Sequence, residues 1–147
     1  MRKFLFLDVD GVLNSYPELR TNGMDYVCPR KIGLVDAIIR KTGCEVVISS
    51  TWRIIHTLDE LKTMFADEGM INTTSIIGAT PSSKSGRRGE EILSWLSEQE
   101  DDYIYAVLDD ETSDMPELVE QGVVVKTNMN KGVTDYDARQ VIELLTN

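Results

Sequence analysis

Five short apolar runs, separated by stretches with helical periodicity, leave this chain few ways to fold. Phe4-Leu5-Phe6-Leu7 and Val46-Val47-Ile48 contain no polar residue, Ser75-Ile76-Ile77 is weaker, and Tyr103 to Leu108 and Val123-Val124-Val125 complete the set. Unbroken apolar runs, as opposed to alternating ones, mark strands covered on both faces. Between them the helices have legible ends. Pro29 suits a first turn, Ile32, Val35, Ile38 and Ile39 share a face, and Gly43 supplies the stop. Thr57-x-x-Glu60 predicts a capping box ahead of Leu61, Met64 and Phe65, with Gly69 ending that helix. Ile92, Leu93 and Leu96 form a third stripe, Asp114 with Pro116 opens a short helix closing at Gly122, and Thr134 caps a helix facing inward through Ala138, Val141, Ile142 and Leu145.

Strand and helix in alternation predict an α/β fold of three layers, αβα and Rossmann-like, with a five-stranded parallel sheet and right-handed crossovers. Residues 1–147 are expected to make one domain, because two would leave each half near the lower limit for its own core. Lysine and arginine number 15 against 25 aspartates and glutamates, a net charge of −10. So acidic a surface repels a long phosphate backbone, which disfavours stable duplex binding but leaves room for capture of one phosphate through a metal ion. No apolar run reaches the roughly 18 residues of a membrane span. Asp8 and Asp10 interrupt the only candidate leader core, and Cys28 and Cys44 follow no pairing pattern. These features predict a soluble, cytoplasmic protein.

In open parallel sheets ligands lie beyond the carboxyl ends of the strands. The residues there are Asp8-Val9-Asp10-Gly11, Ser49-Ser50-Thr51, the loop from Gly78 to Arg88, and Asp109-Asp110. Several carboxylates gathered in one pocket raise one another's pKa unless a cation joins them. Oxygen ligands of this kind suit Mg²⁺, which keeps waters and shares a substrate phosphate. A phosphate-cradling P-loop is not expected at Gly78 to Ser85, because Ser83 stands where its second glycine belongs. A receiver-type phosphoacceptor is excluded as well, since the third strand ends Ile77-Gly78-Ala79-Thr80 without an aspartate.

The run from Phe4 through Asp8-Val9-Asp10-Gly11-Val12-Leu13-Asn14 resembles the first motif of haloacid dehalogenase (HAD)-like phosphohydrolases, four apolar residues followed by DxDG. Val46-Val47-Ile48-Ser49 is similar to their second motif and Leu108-Asp109-Asp110 to their fourth. Ser49-Ser50-Thr51-Trp52-Arg53, Arg88-Gly89-Glu90-Glu91-Ile92 and Trp95-Leu96 narrow the resemblance to the HAD domain of Swiss Army Knife RNA-repair proteins, with kinship to the phosphatase half of polynucleotide kinase-phosphatases.

The resemblance implies roles. Asp8 is the nucleophile and Asp10 the acid and base. Mg²⁺ sits between Asp8, the Asp10 carbonyl and an acid of the fourth motif, Asp110 ahead of Asp109, with Asp114 completing a GDxxxD-like spacing. Ser49 binds phosphate together with backbone groups around Gly11. The third motif needs a cation, and Lys84, Arg87 and Arg88 all qualify. Arg88 is favoured for opening a helix, and Lys84 comes second.

A folded cap, the usual source of selectivity in these enzymes, has no room here. Only a loop or small hairpin is expected from Val12 to Cys28. An open site favours substrates that bring their own bulk, so a phosphorylated nucleic-acid end or a nucleotide is expected, with Arg53, Arg87 and Lys84 as a local basic rim and Gly11 and Ser50 also binding substrate. Small metabolites, phosphoproteins and a non-catalytic phosphate-binding scaffold are the alternatives. His56 is expected to face solvent, Trp95 to pack at the core edge, and Trp52 either to pack or to stack on a substrate ring.

Overall fold

The computed structural model describes residues 1–146. Five strands, β1 (Arg2–Leu7), β2 (Glu45–Ile48), β3 (Ile76–Ala79), β4 (Tyr103–Asp109) and β5 (Val124–Lys126), form one sheet in the order β3-β2-β1-β4-β5. All four pairings are parallel. The helices are α1 (Tyr16–Asn22), α2 (Pro29–Thr42), α3 (Trp52–Ile55), α4 (Leu58–Asp67), α5 (Arg88–Ser97), α6 (Pro116–Glu120) and α7 (Asp135–Leu145). The three-layer αβα, Rossmann-like expectation holds, and 147 residues leave no room for a folded cap.

Successive residues of a strand point to opposite faces, so β1 serves two cores. Leu5 and Leu7 join Ile32, Val35 and Ile38 of α2, Leu61 and Phe65 of α4, and Val141 and Leu145 of α7. Phe4 and Phe6 face the other way, against Ile92 and Leu96 of α5 and Leu118 of α6. Trp95 closes that second core edge-on, its ring centroid 4.9 Å from that of Phe4 and 5.6 Å from that of Phe6. The capping boxes at Thr57 and Thr134 form, each hydroxyl accepting from the backbone N–H three residues on.

Two expectations fail. Residues 12–28 contain α1 where a loop or hairpin was expected. Ser15 and Glu18 make a third capping box there, with Pro17 in the first turn. Of the two readings left open for Trp52, packing holds, since it is 4% exposed and lies in the larger core. It takes His56 with it. The imidazole, 18% exposed, lies 5.6 Å from the indole and 3.9 Å from Asp25, where solvent exposure was expected.

Candidate active site

Register brings the site together. Leu7 of β1 lies opposite Ile48 on one side and Leu108 on the other, so Asp8, Ser49 and Asp109 emerge side by side. The hydrogen-bond ladder runs one step further, with Asp8 N–H donating to Leu108 O at 3.1 Å and Ser49 N–H to Leu7 O at 2.8 Å. The chain winds outward from β1 toward β3, then returns to β4 on the opposite side. Asp8 therefore stands at the reversal point where such sheets open a crevice.

Beyond Asp8 the chain turns at Gly11, whose φ of +80° lies in the left-handed region. A β-carbon there would collide with the Asp110 carboxylate, so the glycine lets the two acidic turns meet. Gly11 N–H donates to Asn14 Oδ1 at 2.9 Å, and Thr127 Oγ1 donates to Gly11 O at 2.6 Å. Asn14 Nδ2 in turn donates to Asp10 Oδ1 at 3.1 Å and to Tyr26 O at 2.9 Å. Gly11 was expected to bind substrate. Its N–H and C=O are both engaged within the protein.

Asp8, Asp109 and Asp110 each present an oxygen within 4.8 Å of the others, and all three residues are buried. Burial, then the neighbouring Asp109, holds the Asp8 carboxyl well above the ordinary aspartate range, against the pull of Arg88. Asp109 is also raised, by burial acting against Arg88 and the Glu111 N–H. Arg88 Nη1 lies 2.8 Å from Asp109 Oδ2 and 3.4 Å from Asp8 Oδ2. Once ionised, three carboxylates against one guanidinium would leave two negative charges in a desolvated pocket. One divalent, oxygen-seeking cation matches that deficit, so the donor set fits Mg²⁺. The Asp10 side chain stands outside this trio, bonded to Asn14 at the cleft wall. The fourth motif contributes both Asp109 and Asp110.

Arg88 reaches the carboxylates because α5 begins against residues 114–115. Its own N–H donates to Asp114 Oδ2 at 2.9 Å. A β-carbon on Gly89 would sit 3.0 Å from Asp114 O, so the glycine permits this approach. Lys84 and Arg87, the other third-motif candidates, are exposed and outside the cleft lining. The cleft holds about 200 Å³ and is lined by Asp8, Asp10, Tyr16, Ser50, Arg88 and Asp110, among others. Asp114 Oδ1, in the cleft lining, and Ser49 Oγ, at the end of β2 beside Asp8, are buried without a protein partner. Such atoms are costly unless something else satisfies them.

Other residues differ from expectation. Arg53 was placed at the rim, yet its side chain is 8% exposed. It donates to Ser50 O at 2.7 Å and Thr80 O at 2.8 Å, and pairs with Glu91 at 3.1 Å. It ties the loops after β2 and β3 to α5. Ser50 lines the cleft, but its hydroxyl accepts the Trp52 N–H at 3.2 Å. Tyr16 and Thr127 were not picked out from the sequence, and Asn14 entered only as the last residue of the first-motif run. Only the Ser15–Glu18 box, which places Tyr16 at the start of a helix, offered a signal.

Fold and site together define a Rossmann-like α/β domain with a carboxylate centre at the reversal of its parallel sheet. A family model described as "HAD domain in Swiss Army Knife RNA repair proteins" matches residues 4–138, and the chain belongs to that family. Neither the curated proteins nor the solved structures offer a match. Among the described residues, no helix is long and apolar enough to cross a membrane.

Proposed function

We propose that this chain is a Mg²⁺-dependent phosphomonoesterase of the HAD type, working through an aspartyl-phosphate on nucleic-acid ends or nucleotides. The observation that carries the reading is the meeting of Asp8, Asp109 and Asp110 with Arg88 in a solvent-open cleft. Asp8, Asp109 and Asp110 would hold Mg²⁺, which when bound would offset the repulsion between phosphate and nucleophile.

An Asp8 oxygen attacks phosphorus in line with the ester oxygen, and the phosphorus–ester bond breaks as the phosphorus–Asp8 bond forms. Asp10 gives its proton to the departing oxygen. It then takes a proton from the water whose oxygen attacks the aspartyl-phosphate, releasing inorganic phosphate and restoring both carboxyls. Ser49 Oγ, buried without a partner, donates to a non-bridging phosphate oxygen. Arg88 balances the charge that Asp8 and phosphate share. Arg53 and Ser50 shape the wall.

Asp8→Asn is expected to abolish release of p-nitrophenol from p-nitrophenyl phosphate while the far- and near-ultraviolet circular dichroism stays native. Turnover at the native rate would remove Asp8 from the reaction. A screen of 3′- and 5′-phosphorylated oligonucleotides, nucleotides, sugar phosphates and phosphopeptides tests the substrate class, and a sugar phosphate hydrolysed in preference to every nucleotide would refute it.

A further inference from the structure

A second hollow, of about 280 Å³, opens beside the cleft and shares two of its walls, Asp10 and Tyr16. Leu19, Arg20 and Met24 complete its lining. The shared wall sets its meaning, on the reading given above. Asp10 protonates the departing oxygen, so the body of the leaving group extends from the Asp10 side, into this hollow. A different groove, around Lys126 and Asn128, adjoins the cleft at Asp110 and Glu111, away from that carboxyl.

The hollow is also held in shape. The Tyr16 N–H donates to Met129 O at 2.9 Å, Ser15 and Glu18 cap the helix, and Lys31 Nζ meets Glu18 Oε1 at 2.5 Å. A preformed groove spends little binding energy on ordering itself. Its walls are an aromatic ring, a leucine, and a thioether on a methionine that is 71% exposed. Such surfaces match the flat face of a nucleobase. A sugar or glycerol body would find polar partners at Asp10, Arg20 and the Tyr16 hydroxyl, but would leave the ring face, the leucine and the thioether unmatched. Arg20 is the one cation of the hollow, placed to pair with the next phosphate of a strand.

We propose that the hollow between Asp10, Tyr16, Leu19, Arg20 and Met24 is a leaving-group subsite that takes the base of a terminal nucleoside. The test uses the full chain carrying Asp8→Asn, in buffer with Mg²⁺, and reads binding by calorimetry independently of turnover. A nucleoside 3′- or 5′-monophosphate is expected to bind about tenfold more tightly than glycerol phosphate. Adding Met24→Ser should erase that advantage, and Met24→Leu should keep it. Arg20→Gln should weaken a 3′-phosphorylated dinucleotide several-fold more than a mononucleotide. Equal affinity for nucleotide and glycerol phosphate, or an advantage untouched by Met24→Ser, overturns the subsite. Nucleotide binding as expected, with a wild-type chain that hydrolyses no phosphomonoester, overturns the catalytic reading and leaves the subsite standing.

Discussion

Gly11 has no side chain, yet the two acidic turns depend on it. Its positive φ strains any other residue, and a β-carbon would occupy the space of the Asp110 carboxylate. Gly11→Ala is expected to cost about 1–3 kcal/mol in urea unfolding and to abolish turnover, because Asp110 must leave the trio. Arg88 is the sharper case. Arg88→Ala should lower kcat at least about a hundredfold, the scale seen when one charge-stabilising donor is removed. Lys84→Ala and Arg87→Ala should each change kcat less than about twofold, since both lie outside the cleft lining. Steady-state kinetics on one phosphomonoester decides among the three. From spacing, all three cations qualified. The helix start at Arg88 was legible, but the contact that selects it crosses 21 residues to Asp109 and exists only after folding.

At the scale of elements, α1 shows how a short insert becomes a wall of the site. Its seven residues would be marginal as an isolated helix, so tertiary partners must hold it. Lys31, buried in α2, is one of them, and Glu18 answers it. Burial opposes the charge of Glu18, but hydrogen bonds from Lys31 and Ser15 outweigh it and hold the carboxyl below the ordinary glutamate range. A lowered folded pKa means stability that is full above the unfolded value and is lost as pH falls through the folded one. Amide exchange in α1 should therefore quicken in acid beneath the usual glutamate range, ahead of exchange in α2. Lys31→Met should weaken that pH dependence, leaving the part due to the Ser15 hydrogen bonds, and an unchanged profile would detach α1 from this ion pair. The Ser15-x-x-Glu18 signal for α1 was present in the sequence. Its anchor was not, because a lysine amid the apolar face of α2 looks like an ordinary surface charge until its partner is known.

For the whole molecule, the buried carboxylates couple the site to global stability. Asp8 and Asp109 hold protons in the folded state that the unfolded chain has already released, so metal-free stability falls as pH rises through that window. A divalent cation displaces those protons. Mg²⁺ at about a hundred times its dissociation constant should add about 2.7 kcal/mol, raising Tm by roughly 5–10 °C. The rise should be larger at about pH 8 than at about pH 5, and EDTA should reverse it. A Tm indifferent to Mg²⁺ at both pH values would detach the carboxylate trio from metal binding.

The architecture was present in the sequence because unbroken apolar runs and helical stripes are local, repeated signals that each strand and helix states for itself. The acidic residues at the strand ends were present too, since a parallel sheet turns position at a run's end into position at one edge. Which cation neutralises them, that Arg53 and Trp52 serve the interior, and that α1 borders the cleft were decided only by tertiary structure. Each depends on contacts between residues far apart in the chain, and no local pattern of charge or hydropathy encodes which distant groups will meet.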